Sequence, residues 1–77
     1  MHDLVWDKRM LGVFRASACL TEEEDIVLND WARGKSIVET AMTHSMSDRK
    51  VGRIRKTLRK KYDNIQPYTD LPKRSKQ

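Results

Sequence analysis

The chain has 77 residues, a net charge of +5, one cysteine (Cys19) and two histidines (His2 and His44). That length makes one small domain, near the lower end of what folds without staples; a lone cysteine excludes an internal disulfide, and with two histidines it falls short of the four ligands of a structural zinc site. No apolar run approaches the roughly 20 residues of a membrane span and no signal-peptide pattern opens the chain, so the expectation is a cytoplasmic protein with no metal, no cofactor and no membrane partner.

The first predicted element is a helix from about Asp7 to Ala18, capped by Asp7, with Trp6 and Leu11 in the two positions of a hydrophobic staple. Leu11, Phe14 and Ala18, joined by Met10, form its apolar stripe, and Gly12 weakens it by roughly 1 kcal/mol relative to alanine. Leu4, Val5 and Trp6 also suit a short extended arm. A second helix opens on the capping box Thr21–Glu24, with Glu22, Glu23, Glu24 and Asp25 loading its first turn where the helix dipole favours negative charge. Those acids are read as dipole partners rather than as a catalytic or metal cluster. Val27, Leu28, Trp31 and Ala32 make the buried face, and Gly34 ends the helix.

Ser36 and Glu39 form another capping box, opening a short helix over Ile37–Thr43 that offers Ile37, Val38, Ala41 and Met42 for packing. His44, Ser45 and Met46 are a link of the length a helix-turn-helix needs. His44 is read as a turn residue, because no carboxylate or second histidine lies near it in sequence. Ser47 then caps a basic helix running to about Tyr62 or Asp63, with Met46 and Val51 as its staple. Asn64 can take a left-handed C-cap, and Pro67 forbids continuation.

The charge is concentrated in that last helix. Residues 1–46 net −3, residues 47–63 net +6 and residues 64–77 net +2, so the excess is a local footprint rather than general solubilising charge. Val51, Ile54, Leu58 and Tyr62 repeat at helical spacing, and at about 100° per residue Arg49, Arg53, Lys56 and Lys60 fall on the opposite side. A helix seated by one edge and basic along the other suits a polyanion that accepts it lengthwise, and the major groove of duplex DNA has that width. Three segments follow: an N-terminal helix over 1–19 that packs on the core, a helix-turn-helix over 20–63, and a basic tail over 64–77, mostly flexible or laid over the surface. The fold class expected is a small all-α bundle of about four helices. No Gly-rich phosphate loop, nucleophile elbow or metal-ligand spacing is present, and enzymatic activity is not expected.

Residues 20–62 resemble, without a gap, the DNA-binding domain of GerE/LuxR-type regulators. Leu20, Thr21, Glu24, Val27, Leu28, Ala32 and Gly34 stand at the signature positions of that family's opening helix. Ser36, Glu39 and Ala41 match its scaffold helix, Met46, Ser47 and Val51 the turn and start of its recognition helix, and Leu58, Lys61 and Tyr62 the far end. The region looks equally like region four of bacterial sigma factors and is similar to small regulators of Firmicutes and their mobile elements. Thr40 and His44 replace large aliphatics of the pattern, and Ser45 stands where it favours glycine. The family's fourth helix has no counterpart after Tyr62, and the helix around Leu11 and Phe14 is expected to cover the core instead.

The resemblance implies sequence-specific transcription regulation, with the Ser47–Tyr62 helix in the major groove and its N-terminal half nearest the bases. Asp48, Arg49, Lys50 and Arg53 become candidates for base edges, and Lys56, Arg59 and Lys60 for phosphates. Thr21, Ser36 with its neighbour Lys35, and Ser47 lie at helix N-termini and are candidate phosphate contacts, a role compatible with capping. Gly52 either lets the backbone approach DNA or is merely tolerated on an exposed face. A module binding RNA polymerase core and a basic helix binding an acidic protein are the alternatives. One such unit reads few base pairs, so either a homodimer on a palindrome or a partner subunit is expected, and an exposed residue of the Leu11/Phe14 stripe is the place to look for the contact.

Overall fold

Residues 5–73 are described by the structure, a computed structural model; Leu4 of the suggested arm and residues 74–77 of the tail lie outside them. Helices α1 (Lys8–Ser17), α2 (Glu22–Ala32), α3 (Ile37–Thr43) and α4 (Asp48–Ile65) are followed by a 3-10 turn at Gln66–Tyr68, with no strand among the described residues. The protein is a small all-α bundle.

Each helix starts on the side chain expected to start it. Asp7 Oδ1 accepts from the Met10 N–H at 2.8 Å, and Ser47 Oγ from the Lys50 N–H at 3.0 Å. Thr21 Oγ1 accepts from the Glu24 N–H at 3.2 Å while Glu24 Oε1 accepts from the Thr21 N–H at 3.0 Å, and Ser36 and Glu39 repeat the exchange at 3.1 and 2.9 Å. These bonds satisfy amides that the first helical turn leaves without partners. Gly34 leaves α2 at φ +84°, and Ser45 turns the chain between α3 and α4 at φ +55°, where glycine would be unstrained.

The long α4 is the central member and packs against α2, α3 and the 3-10 turn. Its Val51, Leu58 and Tyr62 are sealed beneath Val27, Leu28, Trp31 and Ala41. The N-terminal segment attaches through aromatic rings. Trp6 lies 5.1 Å from Phe14 and 5.7 Å from both Trp31 and Tyr62, meeting the last two edge to face, the arrangement ring quadrupoles favour. The helix carrying Leu11 and Phe14 does cover the core. Phe14 is wholly buried and Leu11 half-buried, so that stripe is consumed internally and offers little to a second copy of the chain.

Two further expectations are corrected. In α3, Val38 and Met42 point to solvent, 52% and 78% exposed, while Thr40 takes the inward position beside Ala41. Seven residues make two turns, and the side that meets α4 runs through Ile37, Thr40 and Ala41. The second correction is the end of α4, beyond which the tail takes the surface-laid course of its two expected ones. Asn64 remains helical rather than left-handed, and residues 66–72 fold back on the bundle. Leu71 is buried, Gln66 Nε2 donates to its carbonyl at 3.1 Å, the Tyr62 hydroxyl donates to the Pro72 carbonyl, and Arg9 pairs with Asp70 at 2.9 Å.

Candidate nucleic-acid interface

The chain from Asp48 to Ile65 alternates cations with aliphatics so that one rod has two unlike sides. Val51, Arg55, Leu58 and Tyr62 are buried, and Arg49, Arg53, Lys56 and Lys60 are exposed on the side away from them. The side chains of these four make no hydrogen bond or ion pair with any described residue. At 1.5 Å per residue the row from Arg49 to Lys60 is about 16 Å long. Asp48 is exposed at its N-terminal end, and Gly52 is half-buried on its flank.

The other cations of α4 are used inside the protein. The Lys50 ammonium pairs with Glu23 of α2 at 2.6 Å, which turns it away from the row. Lys61 Nζ donates to Glu24 Oε1 and to the Cys19 carbonyl, both at 2.6 Å. Arg55 Nη2 donates to the Lys35 carbonyl at 2.7 Å, with its guanidinium 4.9 Å from the centre of the Trp31 ring; Arg59 stacks against the same ring at 5.1 Å. Trp31 thus holds two arginines of α4 by cation–π attraction. The contacts fix α4 in rotation, so that the faces selected by the hydrophobic stripe are also the faces held by polar bonds.

Of the candidates named from sequence, Arg49, Arg53, Lys56 and Lys60 share one face with Asp48 and Gly52 at its edge. Ser47 is exposed at the helix start, its side chain occupied in capping. Lys35 and Ser36 lie at the α2–α3 junction, tied to α4 through Arg55. Thr21 sits apart, beside Lys61, because both bond Glu24 Oε1. The structure therefore assembles the row and leaves Lys50, Arg59 and Thr21 out of it, Arg59 being stacked on Trp31.

Sequence reasoning missed two polar links. Arg55 lies four residues after Val51 and three before Leu58, and that spacing was the signal that it belongs to the inward face. His44 does have a carboxylate partner: its Nε2 lies 3.0 Å from Asp30 Oδ2, and Asp30 is buried. This contact pins the α3–α4 link to α2.

Glu24 is altered by its surroundings. Burial works to raise its pKa, but the Lys61 ammonium, the Thr21 backbone N–H and the Thr21 hydroxyl outweigh that effect and hold it below the ordinary value of 4.5. Among the described residues no group of three or more His, Cys, Asp or Glu side chains is placed to hold a metal ion, and no helix is long and apolar enough to cross a membrane. No protein-family model, curated protein or solved structure matches the chain.

Proposed function

We propose that this chain binds double-stranded DNA sequence-selectively as a transcription regulator, with α3 and α4 acting as a helix-turn-helix and α4 lying in the major groove. The observation that carries the reading is the row of Arg49, Arg53, Lys56 and Lys60, exposed and unpaired along the outer face of a helix whose other cations are engaged within the protein. The GerE/LuxR-like pattern of residues 20–62 supports it independently.

Arginines fork onto guanine O6 and N7, which assigns base reading to Arg49 and Arg53 nearest the helix start, each contact worth about 1–3 kcal/mol of discrimination. Lys56 and Lys60, farther along, sit on phosphates and supply affinity without sequence information. Ser47, exposed at the start of α4, adds a first-turn amide contact to the same backbone, whereas the Ser36 amide is already taken by Glu39. Two copies on a palindrome give the affinity that one unit lacks.

Selection from a randomised duplex pool with the purified chain tests this reading. Enrichment of one motif, and an affinity that falls with salt at about −0.9 in log–log slope per seated phosphate, are expected. A pool that stays random would remove the specific-regulator reading, and co-purification with RNA polymerase core in the absence of DNA would replace it with the polymerase-binding one.

A further inference from the structure

We infer that Gly52 is a specificity element: a bare notch on the flank of the α4 row that admits the edge of a base pair against the helix backbone. The inference rests on the DNA-binding reading above and deepens it.

Glycine inside a helix weakens that helix relative to alanine, because it loses more backbone freedom on folding. Within a protein the usual compensation is a left-handed backbone or a neighbour too close for a side chain. Gly34 has the first, at φ +84°. Gly52 has neither: its backbone is helical, and a Cβ built on it would meet nothing within 4 Å. Nothing inside the described protein requires glycine there, and the same holds for Gly12 of α1, so what distinguishes Gly52 is its place beside the exposed cations of α4.

That place gives the missing side chain a use. Side chains three and four residues apart are neighbours on a helix, so Gly52 opens a gap between Arg49 and Lys56, both exposed and unpaired. Long donors on either side and bare backbone between them suit a flat edge that is gripped by its flanks. In the major groove that edge is a base pair, and any side chain at position 52 would hold the helix off by the thickness of a methyl group or more.

Gly12 is a built-in control. It lies as far beyond its cap, Asp7, as Gly52 lies beyond Ser47, a Cβ there also meets nothing within 4 Å, and it is on α1 rather than in the row. Gly12→Ala reports the gain in helix propensity alone.

The experiment uses the full chain with Gly52→Ala, Gly52→Ser and Gly12→Ala, measuring thermal melting, affinity for the selected duplex, affinity for a scrambled duplex and the salt slope. Both alanine variants should melt higher, by about 4–8 °C. Gly52→Ala and Gly52→Ser should lose about tenfold or more on the selected duplex while keeping the parent's affinity and salt slope on the scrambled one. Gly12→Ala should match the parent on both. If Gly52→Ala binds the selected duplex within about twofold of the parent, the notch is overturned while the DNA reading stands. If the unsubstituted chain prefers no duplex, the DNA reading fails first and the notch falls with it.

Discussion

The first turn of α2 and the outer face of α4 are both densely charged, and they are used in opposite ways. In α2 three of the four first-turn acids are matched internally: Glu23 holds Lys50, Glu24 holds Lys61 and Asp25 holds Arg15 at 2.8 Å, all at the helix end where the dipole favours acids. On α4, Arg49, Arg53, Lys56 and Lys60 face water with no internal partner. Charge density alone does not separate a structural cluster from a binding face. Counting partners does.

If that contrast is right, substitutions in the two regions move different observables. The largest effect on binding belongs to the outer face: Arg49→Ala or Arg53→Ala should flatten preference among competing duplexes by about 1–3 kcal/mol without changing the melting temperature. Competition binding on single-base variants of the selected site measures it. A loss of stability instead would mean that these arginines serve the fold. Glu24→Ala should do the reverse, costing about 1–2 kcal/mol in denaturant unfolding, because the capping exchange and the Lys61 partner both go, while affinity for duplex stays. Because the folded-state pKa of Glu24 is depressed, its contribution is complete above the ordinary carboxylate range and drains away as pH falls through the folded value. Glu24→Gln should therefore blunt the loss of stability seen below about pH 4.5 in an acid titration of unfolding.

Smaller effects sharpen the comparison. Lys60→Ala should weaken all duplexes alike and reduce the salt slope by about 0.9, seen by titrating salt on selected and scrambled sites. The smallest concerns the one bond that joins the two regions near the start of α4. Glu23→Gln frees Lys50 at a stability cost under about 1 kcal/mol and should steepen the salt slope as that ammonium joins the outward row. An unchanged slope would show that Lys50 stays turned toward α2 without Glu23.

Much of this was legible in the sequence because it is local. A cap and the amide it serves are three residues apart, so Asp7, Thr21, Ser36 and Ser47 announced all four helix starts. The wheel of α4 separated the Val51–Tyr62 stripe from the Arg49–Lys60 row by periodicity alone. What was not legible depends on neighbours distant along the chain. Lys50 and Lys61 look like Lys56 and Lys60 until α2 is placed beside them, with Glu23 and Glu24 coming from 27 and 37 residues away. His44 looked solitary because Asp30 lies on another helix. In α3, seven residues show too few repeats to choose a face, and Val38 and Met42 were assigned inward by composition when Thr40 went there instead. The return of the tail rests on Leu71 and two backbone carbonyls, which leave no period to detect.

The bond from the Tyr62 hydroxyl to the Pro72 carbonyl bears on where this protein can be cut. Tyr62 is sealed against Trp6 on one side and reaches the returning chain on the other, so the aromatic cluster is roofed by both ends of the polypeptide at once. A fragment trimmed to residues 20–63, the limits its pattern suggests, would uncover those rings and strand a phenol. A fragment from Trp6 to Pro72 should therefore melt in one all-or-none transition, and one trimmed to residues 20–63 should melt lower or not fold, as thermal unfolding of the two would show.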